Sequence, residues 1–283
     1  MFYYIKTVKS VLILNIVVKM FLTILFLIYF KKNKADKYYA ETGNLSAEDI
    51  PESMCKPKQI KDINSYITNK VYWEPENIKE WLDKLEYPLY YLDYETIQMA
   101  VPIFDESKPY DQIPFQFSLH IQKEKGGEVE HISFLYKERS DSRRALAECL
   151  VNSCEEQGSI IVYNQLFEKG RNEELAELFP DLKEKILALN KRVLDQLTPF
   201  RERYLYGPTQ HSSASIKKTL PAFTDLSYEN MEVHNGSEAS SRYEAFITGK
   251  LSYEESKVLF DGLEKYCGQD TYAMVVLMDV LYK

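Results

Sequence analysis

The sequence predicts an α/β domain, in which a mixed β-sheet is flanked by helices over the C-terminal two thirds of the chain. Three strand-like segments follow one another between residues 89 and 136, and a hairpin turn joins the second to the third. A helical segment then leads into a short, wholly apolar segment at residues 159–163. A strand that follows a helix usually returns parallel to an earlier strand, so we expect a mixed sheet.

Composition and charge limit the classes of function. The chain has 283 residues, of which 45 % are hydrophobic, and this fits one large or two small globular domains. The formal net charge of −8 argues against a protein that holds nucleic acid by a broad basic surface. It does not exclude an enzyme that binds phosphates through metal ions, because the ions supply positive charge locally. None of the four cysteines forms a C-x-x-C pair, which predicts reduced thiols in a cytosolic domain.

The N-terminal segment, residues 1–35, contains an apolar run from residue 11 to residue 30. This is about the length of a helix that spans a bilayer, and its apolar residues outweigh the cost of inserting Lys19. More lysines follow the run than precede it, so the positive-inside rule places the C-terminal part in the cytoplasm. We therefore predict a hydrophobic, membrane-spanning helix. A buried helix, or the remnant of a longer parent protein, is the alternative.

The rest of the chain divides into a polar linker, residues 36–75, and one domain, residues 76–283. The continuous apolar run at 89–94, interrupted by Asp93, has the length and aromatic content of a buried central strand. Further strands are predicted at residues 115–121 and 129–136, joined by a turn at 125–128. Helices are predicted at residues 74–86, 143–155, 167–179, 180–190, 215–220, 238–247 and 253–282, with Pro221 ending the fifth and the last forming one helix or two.

Two acidic side chains interrupt the first strand. Asp93 and Glu95 are two residues apart, so both carboxylates project from one face of a strand. They fall at its predicted C-terminal end, where α/β sheets place ligands. An Asp inside a buried strand needs a compensating partner, and a divalent cation is one. Backbone N–H groups or a buried Arg would satisfy Asp93 equally well when the pair is taken alone.

Two further clusters carry acids at helical spacing. Asn164 and Glu168 are four apart, directly after the fourth strand, and share a helix face. Tyr266 and Asp270 have the same spacing in the terminal helix, beside an apolar stripe. If the fourth strand lies beside the first, Glu168 comes close to the acidic pair of that strand. A solvated first-turn Glu and a plain helix-face Asp are the alternatives.

The three clusters resemble the motifs of the DEDD exonuclease superfamily in its Tyr-containing branch. They are Asp93-x-Glu95, Asn164-x-x-Phe167-Glu168 and Tyr266-x-x-x-Asp270. The chain is more similar to an uncharacterised bacterial family, domain of unknown function 2779. The stretches that carry this resemblance are YYLDYET (90–96), QIPFQFS (112–118), IVYNQLFEK (161–169), SASIKKTLPA (213–222) and YCGQDTYAMV (266–275). The resemblance covers residues 75–283 and implies a ribonuclease-H-like fold, with three antiparallel strands, a parallel fourth strand and flanking helices.

The resemblance implies a metal-dependent nuclease that acts 3′→5′ on the end of single-stranded DNA or RNA. The implied ligands of two Mg²⁺ or Mn²⁺ ions are Asp93, Glu95, Glu168 and Asp270. An all-oxygen site suits these ions. Tyr266 would orient the attacking water, because an intrinsic pKa of about 10 makes it a poor base. Asn164 and Phe167 would position the second acidic residue and pack beside the terminal nucleotide.

Other residues in the same stretches are candidates for substrate binding. Lys217 is predicted to contact a substrate phosphate and Gln116 to line the site, although a solvated helix turn and a plain strand position are the respective alternatives. One position departs from the superfamily, which usually has Asp where this chain has Glu168. The extra methylene moves the carboxylate by about one bond length.

Two other classes of function stay open from the sequence. The domain could be a catalytically silent, nucleic-acid-binding relative that retains the fold, or a membrane-anchored accessory domain that binds a partner. In the domain family a RecB-like nuclease region commonly precedes this domain, which implies such a nuclease as a partner. Convergence of the four acidic residues in an open cleft would favour the nuclease.

Overall fold

The computed structural model describes residues 40–41, 43, 50–229 and 231–283. The apolar run at residues 11–30 lies outside the described residues, so the predicted membrane helix stays a prediction. In the described part of the chain, no helix is both long enough and apolar enough to cross a membrane. The chain divides into two compact units. Unit 1 is Met1–Pro75 with Phe200–Ala214, and unit 2 is Glu76–Pro199 with Ser215–Lys283.

The described residues form nine α-helices and seven strands, with three consecutive strands near the middle and three consecutive helices at the C-terminal end. The helices are α1 (Pro57–Thr68), α2 (Pro75–Leu82), α3 (Arg143–Ser153), α4 (Gln165–Leu178), α5 (Lys183–Lys191), α6 (Leu197–Arg201), α7 (Ile216–Phe223), α8 (Gly236–Ile247) and α9 (Tyr253–Leu281). The strands are β1 (Tyr72–Trp73), β2 (Leu89–Gln98), β3 (Gln112–Gln122), β4 (Val129–Leu135), β5 (Ser159–Val162), β6 (Val193–Asp195) and β7 (Leu205–Tyr206).

Unit 1 contains α1 and a two-stranded antiparallel pairing of β1 with β7. The polar composition of residues 36–75 predicts a linker, but part of it is this helix. Pro57 occupies the first helical turn, where its missing N–H is not needed. On the helix, Asp62 forms a buried ion pair with Arg203, with 2.5 Å between the carboxylate oxygen and Nε. This ion pair joins two residues that are far apart in the sequence and helps to order the region. The polar composition of the segment gives no indication of such a pair.

Unit 2 contains a five-stranded mixed sheet in the order β4-β3-β2-β5-β6. β2, β3 and β4 are antiparallel neighbours, and β5 is parallel to both β2 and β6. This confirms a mixed sheet flanked by helices. The turn between β3 and β4 has Gly126 at φ +71°, a conformation that glycine adopts without steric cost.

β6 and α7 differ from the sequence prediction, and α9 is the single helix of the two predicted alternatives. β6 has only three residues, too few for a periodic signal. α7 continues through Pro221 and ends two residues later, so the loss of one backbone hydrogen bond occurs near the end of a short helix. The last helix, α9, is continuous from Tyr253 to Leu281, and its start is fixed by a capping box between Ser252 and Glu255.

The two faces of β2 have different roles. Tyr90, Leu92 and Tyr94 point into the main hydrophobic core, which α3, α4 and α5 help to form. Side chains alternate along a strand, so Asp93 and Glu95 point to the opposite face. α8 packs against β2, and α9 packs against both β2 and β3. The acidic pair therefore faces two helices rather than the apolar core.

Candidate metal centre

The acidic pair of β2 lies in the middle of the strand. The prediction that Asp93 and Glu95 close the strand is wrong, because residues 96–98 continue to pair with β3 after a register shift at Glu95. On the other side, β5 pairs only with residues 89–91 of β2. The acidic pair thus extends past the carboxyl end of a parallel strand, the location where open α/β sheets bind ligands.

α9 brings a second group of side chains to the acidic pair. The Sγ of Cys267 lies 3.8 Å from Oδ2 of Asp93 and 3.8 Å from its backbone oxygen. Ligand atoms of Asp93, Glu95 and Cys267 all lie within 4.8 Å of one another. The scattered cysteines of the sequence gave no sign of this contact. It depends on the packing of α9 on β2.

α4 contributes the third acid. Glu168 is 2 % exposed, and its Oε2 has no hydrogen-bond partner. Asn164, the residue before α4, has φ 123°, a value that few residues other than Gly adopt. Its backbone N–H donates to Asp195 Oδ1 at 3.2 Å. Asn164 therefore forms the turn that leads into α4 and positions Glu168. The Asn164 side chain does not line the cavity beside the acidic pair.

An open cavity of about 490 Å³ joins these elements. Its lining includes Asp93, Glu95, Phe167, Tyr266 and Asp270, so residues from all three predicted clusters reach one cavity. A further wall is formed by α8, whose contribution includes Ser237, Ser240, Ser241 and Glu244. No motif in the sequence points to this wall, although the run SEASS at 237–241 is typical of a helix with a small, polar face.

Lys217 and two tyrosines restrain the acid on α9. Lys217 Nζ donates to the Tyr266 hydroxyl at 2.9 Å and to the backbone oxygen of His234 at 2.5 Å. The hydroxyl of Tyr228 donates to Asp270 Oδ1 at 2.7 Å. Burial raises the pKa of Asp270, and the nearby Tyr266 side chain opposes this shift. Tyr228 was not predicted, because it lies in a loop without a motif.

Gln116 does not line the cavity. It is fully buried, and its Nε2 donates to the backbone oxygen of Leu263 at 3.0 Å. Gln116 is the partner of Glu95 on the neighbouring strand, so the two side chains lie on the same face of the sheet. α9 covers this face at Gln116. The prediction that Gln116 contacts substrate is therefore wrong, and its hydrogen bond instead ties β3 to α9.

Burial and mutual repulsion make these carboxyl groups hard to ionise. Burial, with the charges of Asp270, Glu95 and Glu168, raises the pKa of Asp93 well above its usual range. Burial raises the pKa of Glu95 and of Glu168 to about 8, and that of Asp270 to about 6. The Lys217 ammonium opposes the shift at Glu95 and Asp270. A divalent cation would reverse these shifts, because it stabilises the ionised form.

The residues fit a divalent cation. Glu168 has a buried oxygen without a partner, and the Glu95 carboxylate, 5 % exposed, has no hydrogen bond or ion pair with any described residue. Buried carboxylates of this kind are normally paired or bound to a metal. Glu168 and Asp270 do not belong to the group of ligand atoms of Asp93, Glu95 and Cys267 that lie within 4.8 Å of one another. The charges of both nevertheless raise the pKa of Asp93. Asp93, Glu95 and Asp270 therefore line one pocket, and Glu168 lies near Asp93 without belonging to the lining.

Comparison with known proteins gives a match to one domain family but no activity. Residues 90–215 match the family described as Domain of unknown function (DUF2779), which confirms the resemblance to that domain over this range. The matched range includes the acids of β2 and α4 and ends before those of α9.

The similar curated proteins are uncharacterised. The chain is 26 % identical over 272 residues to "Uncharacterized protein MG366" of Mycoplasma genitalium, covering 85 % of this chain and 40 % of the relative. It is 25 % identical over 212 residues to "Uncharacterized protein MG366 homolog" of Mycoplasma pneumoniae, covering 69 % of this chain and 32 % of the relative. The chain thus spans less than half the length of either relative. No solved structure matches the chain.

Proposed function

We propose that the chain is a metal-dependent nuclease that removes nucleotides 3′→5′ from the end of single-stranded DNA or RNA. The observation that carries this proposal is that acids from three distant segments come together: those of β2 and α9 line one open cavity, and that of α4 lies near Asp93. Asp93 and Glu95 come from β2, Glu168 from α4 and Asp270 from α9. Each of the other three acids raises the pKa of Asp93, which requires all of them to be near it.

The order and direction of the strands support a ribonuclease-H-like domain. Three antiparallel strands are followed by a helix and then by β5, which lies parallel to the first of them, β2. This is the order that the resemblance implies. The family match itself concerns an uncharacterised domain, so the relation to DEDD exonucleases is part of the proposal.

The four carboxylates would hold two Mg²⁺ or Mn²⁺ ions. Bound there, such ions activate an attacking water and stabilise the leaving 3′-oxygen. Burial raises the pKa of Tyr266 far above its usual range, so we assign Tyr266 to orienting the water rather than to accepting its proton. Lys217 holds the Tyr266 hydroxyl, which gives it a positioning role in place of the predicted phosphate contact.

The remaining walls of the cavity would bind the strand end. Phe167 offers a ring on which a terminal base can pack. Ser237, Ser240 and Ser241 offer hydroxyl groups that suit phosphate or sugar oxygens. Neither wall reads base edges, which agrees with a substrate selected by its free end rather than by its sequence.

The direct test is a nuclease assay with Mg²⁺ or Mn²⁺ on single strands labelled at the 5′ or at the 3′ end. We expect 5′-labelled strands to shorten stepwise, and 3′-labelled strands to release labelled mononucleotides at once. Asp93→Asn should reduce the rate at least about 10³-fold, since it removes a charge that both ions share. Asp83→Asn is the matched control, because Asp83 is an exposed residue paired only with Lys79.

Two outcomes would contradict the proposal. Equal activity in wild type and Asp93→Asn would remove Asp93 from the chemistry and point to a contaminating nuclease. Binding of single strands without any cleavage, in the presence of either ion, would favour the catalytically silent alternative. Cytoplasmic location, a membrane anchor at residues 11–30 and a RecB-like partner stay predictions.

A further inference from the structure

Cys267 has a place in the acidic cluster that the two-ion proposal does not use. The residue is fully buried, and the Sγ has contacts only with the backbone and carboxylate of Asp93 among the hydrogen bonds of the described residues. A Val or Ala would fill a helix–strand interface equally well. A thiol in this position adds a soft donor to a group of hard oxygen donors.

The distances fit a single cation bound by sulfur and oxygen. With Zn–S bonds of about 2.3 Å and Zn–O bonds of about 2.1 Å, two ligand atoms of a tetrahedral ion are about 3.6 Å apart. The Sγ of Cys267 lies 3.8 Å from Oδ2 of Asp93. The Glu95 carboxylate completes a group in which the atoms are within 4.8 Å of one another. The distance between Sγ and Oδ2 is therefore already close to that of two ligands of one ion, and the Glu95 carboxylate would approach the ion as the third ligand.

A second observation indicates that this group lacks a ligand. The Glu95 carboxylate is more than nine-tenths buried, has no hydrogen bond or ion pair with a described residue, and is directed at the same point. Because both Asp93 and Glu95 line the open cavity, a cation can enter from solvent without unfolding α9. A fourth ligand, a water molecule, would come from the cavity side.

We propose that Cys267, Asp93 and Glu95 form a binding site for a thiophilic divalent cation, Zn²⁺ or Cd²⁺, overlapping one of the proposed Mg²⁺ or Mn²⁺ positions. On binding, the thiol releases its proton to solvent, and the sulfur donates an electron pair to the ion without any change of oxidation state. Mg²⁺ prefers oxygen ligands and leaves the thiol protonated. The site therefore distinguishes hard from soft cations, and a thiophilic ion would compete with the hard one and inhibit the enzyme. This inference rests on the metal-binding part of the proposed function.

The test is a titration of the metal-free full chain with Cd²⁺, followed by the ultraviolet sulfur-to-cadmium charge-transfer band. We expect the band to saturate at one Cd²⁺ per chain. Cys267→Ser should remove it and weaken Cd²⁺ binding at least about tenfold. Cys267→Ala serves as a second variant, with circular dichroism to check folding. Cys154→Ser is the matched control, since Cys154 is a partly buried thiol that belongs to a separate cavity.

The outcomes separate this inference from the proposed nuclease. A band that persists in folded Cys267→Ser, or that is lost in Cys154→Ser, overturns the inference. So does Mn²⁺ binding to wild type with no Cd²⁺ band, and that result leaves the nuclease proposal intact. A Cys267-dependent band in a protein without Mg²⁺- or Mn²⁺-dependent cleavage supports the thiophilic site and contradicts the nuclease.

Discussion

Individual residues of the metal centre differ in what holds them in place. Asp270 accepts a hydrogen bond from Tyr228, so its orientation is fixed before any ion binds. Glu95 and Glu168 lack such partners among the described residues. We therefore expect changes at Tyr266 to affect the chemical step, and changes at the two glutamates to affect ion binding and stability.

Replacing Tyr266 by Phe removes a hydroxyl that accepts from Lys217 and lies against Asp270. We expect kcat to fall about 10²-fold, while KM changes less than about threefold, because the ring still packs in the wall. Steady-state kinetics on a single-stranded substrate measure this. Tyr253→Phe, at an exposed position of the same helix, should behave as wild type. A KM effect with unchanged kcat would contradict the orienting role of Tyr266.

Glu168→Gln should separate stability from ion binding. The substitution removes a buried acid whose charged form is disfavoured, so the metal-free variant should gain about 1 kcal/mol or more of unfolding free energy at pH 8. Its thermal shift on adding Mn²⁺ should be smaller than that of wild type. Glu173→Gln, an exposed position of α4, is the control. A less stable metal-free variant at pH 8 would contradict the account of Glu168.

At the scale of elements, the contact between α9 and β2 decides the site. The period-two spacing of Asp93 and Glu95 and the i, i+4 spacing of Tyr266 and Asp270 were readable from the sequence, because both are local rules. The Cys267–Asp93 contact and the Tyr228–Asp270 hydrogen bond were not. They join segments far apart in the chain, whose register no local pattern specifies.

α8 supplies a wall of the cavity that can be changed without replacing any of the four acids. Ser241→Trp puts a large side chain into the cavity from this wall. We expect binding of single strands to weaken at least about tenfold, since the ring occupies the space of the terminal nucleotide, while Mn²⁺ binding is unchanged. Thr248→Trp, at the exposed end of α8, is the control. Unchanged strand binding in Ser241→Trp would show that the strand enters elsewhere.

At the scale of the whole molecule, the sequence predicted more of the sheet than of the N-terminal part. Alternating and continuous apolar runs predicted β2 to β5, because burial on one face or two sets those periods. The helix before the fourth strand predicted that this strand is parallel to an earlier one. The linker prediction failed at α1, where the buried pair of Asp62 and Arg203 orders a polar segment. Glu168 could be placed near β2 only by assuming the strand order that the structure has.

The buried acids make the stability of the metal-free protein depend on pH. Glu95 and Glu168 have a pKa of about 8 when folded and about 4.3 when unfolded. Between these values the folded state holds more protons than the unfolded state, so the free energy of unfolding falls as pH rises. We expect a fall from pH 6.5 to pH 8, of up to about 1.4 kcal/mol per pH unit for each group. The measurement is urea unfolding at several pH values.

The control for the pH series is the double variant Glu95→Gln, Glu168→Gln, which should reduce the slope to the part that Asp93 contributes. Saturating Mn²⁺ should also flatten it in wild type, because the ion stabilises the ionised carboxylates. Stability that rises from pH 6.5 to pH 8 in the metal-free wild type would mean that these two groups are not protonated in the folded state.

The central claim, that these four carboxylates form a metal centre, is tested most directly by a crystal structure of the protein with Mn²⁺, using anomalous diffraction to locate the ions. We predict two anomalous peaks in the cavity, about 3.5–4 Å apart, with Asp93 next to both and with Glu95, Glu168 and Asp270 around them. Crystals of Asp93→Asn should lose at least one peak. A wild-type crystal at saturating Mn²⁺ with no peak beside Asp93 would contradict the account.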